Sequence, residues 1–279
     1  MKKILSTFLC ISAAFLMTSC SPKHEKIPIV TCDGNVICVN GKTVATADDT
    51  VYVNRLDSHV VSLSIGSTIG EDGSVNIINV DYDGNEIKLS DVITDSDLYE
   101  TAIKEKLDEP VPITRDSVYS GPEIDRETME DVMCSYDDAM NLPFIMGYKA
   151  VTILYTEENG ASYSVSFAYD SGVVDSRFVP GDGVMCHNWM TGRIGYGLAG
   201  MDMEGYSDHW AENSIQIDNY KGNTYYWSCV AFIDENDNRT YYSVVAKDTD
   251  NGRKVISSKQ VDGPFICCDI EEFGRMIKG

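Results

Sequence analysis

The stretch SVNIINVDYDGNEIKLSDV, residues 74–92, decides the fold class. Val75, Ile77, Ile78 and Val80 are β-branched, Asp81 to Asn85 supply turn chemistry, and Ile87 and Leu89 then alternate with Glu86, Lys88 and Ser90. A β-branched run, a tight turn and a period of two read as strand, turn, strand. The same grammar covers residues 30–93. The runs VICVN (36–40), TVYVN (50–54) and HVVSLSI (59–65) are separated by Asn40-Gly41, Asp57-Ser58 and Glu71-Asp72-Gly73. Asn-Gly and Asp-Gly accept the positive φ of tight hairpins, so the region is predicted to be an antiparallel meander.

The period then changes. Leu98, Ala102, Ile103 and Leu107 recur at helical spacing, with Asp95 or Ser96 as cap and Pro110 beyond the end. Residues 108–123 (DEPVPITRDSVYSGPE) carry three prolines and read as a linker. Beyond it Asp125 caps a second predicted helix with the stripe Met129, Val132, Met133, Tyr136 and Met140, stopped by Asn141 and Pro143. Strands return afterwards. Residues 148–178 align loosely with 225–258 as aromatic strand, acidic turn, Tyr-Ser-Val strand, Asp-containing turn and third strand, placing Tyr163 and Tyr242 at equivalent positions. The expected fold is mainly β (α+β), antiparallel meanders with two amphipathic helices. A single β-sandwich or small β-propeller with a helical insertion is the alternative. The expected organisation is a signal peptide (1–19), a tether (20–29), a meander plus helix (30–107), the linker (108–123) and a helix plus β-rich domain (124–279).

Lys2 and Lys3 precede an apolar run from Ile4 to Met17, too short for a membrane span but the length of a secretory core. Thr18, Ser19 and Cys20 follow. This resembles the lipobox of bacterial lipoproteins, with Met17 where Leu is usual. The resemblance implies diacylglycerol on the Cys20 thiol, cleavage before it, and membrane attachment through acyl chains such as palmitate. Ser21 in place of Asp resembles outer-membrane sorting in Gram-negative bacteria.

The formal charge is −22, and removing residues 1–19 takes away two lysines and no acid, leaving −24. Such a surface repels nucleic acid, which requires clustered Lys or Arg, and favours solubility, cationic partners or divalent ions. The expected partners are the membrane, through the lipid, and an envelope or host ligand. Seven cysteines lie beyond Cys20, at 32, 38, 134, 186, 229, 267 and 268, an odd number compatible with export and disulfides. Cys32 and Cys38 flank DGNV and are the pair expected to bridge a hairpin.

Two acidic turns are candidate Ca²⁺ sites, Asp81, Asp83 and Asn85, and Asp234, Asn236 and Asn238, because alternating carboxylate and amide oxygens can converge on a hard cation. Hairpin turns select the same residues for backbone reasons. No other cofactor is indicated. Residues 181–213 concentrate glycines, Cys186, His187, Trp189, His209 and Trp210, the composition of a functional surface loop. His187, Trp189, His209 and Trp210 are the candidate ligand contacts, and Cys186 with His209 is a conceivable nucleophile and base. No catalytic residue is assigned. The expected function is a lipid-anchored cell-envelope binding or interaction protein, the alternative an envelope hydrolase of glycan or peptide. Finally, VDYDGNEIKLSDVITDSDLYETAIKEKL (80–107) resembles the strand, D-x-x-x-G-x-x-x-x-L-x-D, helix pattern of the lysozyme-sensing extracytoplasmic domain of RsiV-type anti-sigma factors. It implies a similar local fold and carries over no site residues.

Overall fold

A computed structural model describes residues 26–33, 35–47, 49, 51–66, 76–108, 124–188, 208–263 and 268–278, without the side chains of 33 and 208–213. The lipobox, residues 109–123 of the linker, and Trp189 lie outside these residues, while Asp108 ends a helix. Strands dominate, as the sequence predicts, and every named strand pairing is antiparallel.

The first sheet holds β1 (Val30–Asp33), β2 (Val36–Val39) and β3 (Lys42–Thr46). Asn40 and Gly41 form the turn between β2 and β3 with φ of 50° and 81°, the left-handed pair a two-residue hairpin requires. The predicted meander therefore divides, because β4 (Val51–Leu56), β5 (Val61–Ile65) and β6 (Ile77–Val80) belong to a second sheet. EIKLSDV contributes no full strand. Glu86 makes one bridge to Val80, and the chain then coils into α1 (Leu89–Val92) because the Asp91 carboxylate accepts the Lys88 amide at 2.9 Å and closes a helical turn.

Helix α2 (Ser96–Asp108) starts where Asp95 accepts the Leu98 amide at 2.9 Å and buries Tyr99, Ile103 and Leu107. The second predicted helix is two. Asp125 caps α3 (Arg126–Cys134), but Ser135 takes an extended conformation and its hydroxyl caps α4 (Tyr136–Ala139), so the methionine stripe continues across a break. Both helices cover the third sheet, β7 (Phe144–Met146), β8 (Ala150–Thr156) and β9 (Ser162–Ala168). Tyr99 packs against Phe167 and Tyr136 with centroids 5.7 and 5.9 Å away, while its hydroxyl donates to Met133 O at 2.8 Å. That bond keeps a buried phenol satisfied.

After β9 the expected third strand is absent, and residues 169–178 run through turns to a short 3₁₀ helix, Ser176–Phe178. The chain enters β10 (Met185–Asn188) and then the long strands β11 (Asp208–Tyr220), β12 (Asn223–Ile233), β13 (Arg239–Thr249) and β14 (Gly252–Val261), and ends in α5 (Ile270–Met276). The second sheet has eight strands in the order β14-β13-β12-β11-β10-β4-β5-β6. Strand β10 joins the meanders, facing β11 along its length and β4 at Cys186 opposite Leu56. One apolar cluster lies between this sheet, the first sheet and α5, where Phe273 meets Tyr220, Tyr225 and Trp227. A second lies beneath the helices. Both draw on residues before 108 and after 124, as does the eight-stranded sheet.

Polar links tie the third sheet to the second. Asn79 Nδ2 donates to Phe144 O at 2.7 Å, and Ser62 Oγ accepts the Met146 amide at 3.2 Å. Arg55, fully buried, donates from Nε to Asp57 at 2.6 Å and from Nη1 to the Tyr169 hydroxyl and Phe178 O at 2.7 and 2.6 Å. A buried guanidinium is tolerated only when paired and hydrogen-bonded in this way.

Candidate functional site

Beside β6, the last strand of the eight-stranded sheet, lies an open groove with a cavity volume of about 720 Å³. Its walls are mixed, with apolar side chains from Val44 of β3, Ile78 of β6 and Leu142 in the corner after α4, and polar or charged ones from Asn79, Glu86, Lys88 and Asn141. The floor has main-chain character. Ile65 N donates to Asn76 O directly opposite it at 2.9 Å, which fixes the alternation of this antiparallel pair and turns the main-chain groups of Ile77 and Asn79 away from β5. Asn79 O is taken by Ile87 N at 2.9 Å, and the outward N–H and C=O of Ile77 meet no backbone partner among the described residues. Asn79 also lines the groove, and its buried Oδ1 has no hydrogen-bond partner among the described residues. The volume is that of a ligand cleft, and an outward strand edge is the usual template for adding an extended chain.

The residues singled out from the sequence lie elsewhere. His187 is in β10 and buried, not in a surface loop. Its Nε2 sits 3.1 Å from Asp218 Oδ2, its Nδ1 3.2 Å from Asn188 O, and its ring stacks on Tyr148 with centroids 4.2 Å apart. His209 and Trp210 are in β11, opposite Phe232 and Ala231. Residue 217 of β11 faces Cys186, so His209 is eight residues further along an extended strand, about 26 Å away. Cys186 and His209 therefore form no dyad. Cys186 is fully buried, and its contact with Cys268, together with burial, pushes its thiol well above the ordinary range, the opposite of an activated nucleophile. Nor do His187 and Trp210 share a patch, since His187 pairs with Gln216, six residues from Trp210, about 20 Å. Burial of Cys186 and His187 follows from the place of β10 between β11 and β4, where it joins the two meanders.

In both acidic turns the first aspartate organises the backbone. Asp81 accepts the amides of Asp83 and Asn85 at 2.9 and 2.8 Å and the Asn85 side chain at 3.0 Å. Asp234 repeats the pattern with Asn236 and Asn238 at 2.7, 3.0 and 2.9 Å. Slight burial pushes the Asp81 pKa up, but the Asn85 side chain, the amides of Asn85 and Asp83, and Lys42 outweigh it and hold the carboxyl below its ordinary value. The Asn238 side chain and the two amides lower that of Asp234. Among the described residues no group of three or more His, Cys, Asp or Glu gathers to hold a metal ion.

Cys32 stands opposite Ile37 and Cys38 opposite Thr31, so the two cysteines project from opposite faces of the β1–β2 hairpin and the expected bridge does not form. The Cys38 thiol instead lies 3.7 Å from Thr43 Oγ1. No protein-family model matches this sequence, and no match is found among curated proteins or solved structures. No described helix is long and apolar enough to cross a membrane. The groove escaped the sequence reading because Val44, Ile78 and Leu142 have no common motif. The outward edge of β6 carried the only signal, in the β-branched pair Ile77-Ile78.

Proposed function

We propose that the chain is a lipid-anchored binding protein of the cell envelope, attached through Cys20, and that the groove beside β6 receives an extended polypeptide segment of its ligand. The observation that supports this reading is the outward main-chain edge at Ile77 inside a groove of about 720 Å³ lined by both apolar and polar side chains. A segment lying there would pair its backbone with Ile77 and set alternate side chains against Ile78 and Leu142. The charge of −22 favours a basic segment, by speeding encounter and disfavouring acidic competitors.

Selection from a displayed library of unstructured peptides tests the groove. Binders should be basic, should lose affinity when their backbone is N-methylated at alternate positions, and should be rejected by Leu142→Asp. Ile77→Pro removes an outward N–H, which a sheet edge tolerates, and should weaken the same binders at least tenfold, whereas Ile77→Val, which keeps the N–H, should change their affinity far less. Binders indifferent to both changes would refute the groove as the site. Anchoring is tested separately, since mass spectrometry of the mature N-terminal peptide should show acylated Cys20, and Cys20→Ala should release the protein from membranes.

A further inference from the structure

We propose that Cys186 and Cys268 close a disulfide that fastens the C-terminal helix to the middle of the eight-stranded sheet. Cys186 occupies β10 opposite Ile217 on one side and Leu56 on the other. Cys268 precedes α5, where its carbonyl accepts the Val30 amide at 3.2 Å. Both are free thiols in this structure, fully buried in one apolar cluster with Val30, Leu56, Ile217 and Phe273, and near enough for one thiol to act on the other. The helix they would secure is already docked, by Phe273 on Trp227 and by the Ser243 hydroxyl, which donates to Met276 Sδ at 3.4 Å.

The inference rests on the export reading, because only an oxidising compartment supplies the co-reactant. The oxidant is a protein or small-molecule disulfide. The thiolate of one cysteine attacks it, forming a mixed disulfide and releasing one thiol. The thiolate of the second cysteine then displaces the other thiol, so the two cysteines lose two electrons and two protons and the oxidant becomes two thiols. In the folded chain the thiols are inaccessible and Cys186 is held protonated. Exchange therefore belongs to folding, before α5 packs.

The test uses the purified chain and needs no export. After refolding in reduced and oxidised glutathione, non-reducing peptide mapping should yield the peptide of Cys186 joined to that of Cys268. The oxidised chain should melt roughly 5–15 °C above the reduced one. That difference should vanish in Cys268→Ala and in Cys186→Ala, both small apolar replacements. Recovery of Cys186 as a free thiol, linkage through Cys267 instead, or a melting difference retained in Cys268→Ala would overturn the proposal. Failure of Cys20 acylation would leave these outcomes unaffected and would strike only the export reading.

Discussion

Residues 148–178 and 225–258 begin alike and end differently. In each, an aromatic strand turns through acidic residues into a Tyr-Ser-Val strand, β8 to β9 and β12 to β13, and Tyr163 and Tyr242 both lie half-buried on the side of an apolar cluster. After β13 the chain turns at Gly252 and pairs again as β14; after β9 it leaves the sheet. The cause is visible in the two continuations. Arg253 to Ser257 alternate between half-buried and exposed, as a strand with one covered face must, whereas the adjacent residues Val173 and Val174 are both buried. A strand that buries neighbouring side chains needs cover on both faces. Burying both valines requires the chain to curl, and Arg55 holds it there by binding Tyr169 and Phe178 O. Similar local sequence thus specifies a hairpin, and the third element is set by what the rest of the molecule offers it.

The sharpest way to break this contrast is Arg55→Met. It leaves Asp57 charged and buried, and removing one member of a buried pair typically costs about 3–5 kcal/mol. Denaturant unfolding should show that loss, and hydrogen exchange should show it concentrated in residues 169–178. The double variant Arg55→Met with Asp57→Leu removes both charges and should recover part of the stability. Equal destabilisation of the single and double variants would mean that the hydrogen bonds to Tyr169 and Phe178, rather than the charge, hold the segment.

A smaller effect compares the continuations directly. Val174→Ala deletes buried methyl groups and leaves a cavity, for a cost of about 2 kcal/mol. Ile256→Ala, on a side chain 43% exposed in β14, should cost less than about 0.5 kcal/mol. Parallel thermal melts would decide this. Comparable losses would mean that β14 is covered by more than its pattern indicates.

What could be read from the sequence was local. Asp95 and Asp125 cap the helices assigned to them, Asn40-Gly41 makes its hairpin, and the β-branched runs are strands, because each is decided by groups within a few residues. What could not be read depends on distant partners. Ser135 breaks a helix whose apolar stripe runs through it, a choice between helical and capping bonds that periodicity does not register. Arg55 is buried although its type is normally exposed, because Tyr169 and Phe178 come from more than a hundred residues away. His187 follows the same rule. Its neighbours suggested a loop, yet pairing with both meanders makes it part of a central strand, and the groove is assembled by residues as far apart as Val44 and Leu142.

The smallest expected effect concerns the two acidic turns, which are alike where the two continuations differ. Asp81 and Asp234 accept the same three hydrogen bonds and both have carboxyl pKa values held below the ordinary one. A group whose pKa is lowered on folding stabilises the protein above its unfolded value, near 3.9, and that contribution is lost as pH falls through the folded value. Below both values nothing remains of it. Asp81→Asn and Asp234→Asn should therefore be slightly less stable than the parent at pH 7, with the difference shrinking to nothing in acid. At Asp81 part of the change should come from Lys42, which acts on its carboxyl and donates to Asn85 at 2.9 Å, joining the turn to β3. Both sites are open to solvent, so screening keeps the effects small and added salt should reduce the Lys42 contribution first. Urea unfolding of the three proteins from pH 2.5 to 7 is the measurement. A difference that persists unchanged at the acid end would assign the loss to the geometry of the turn rather than to the charge of its aspartate.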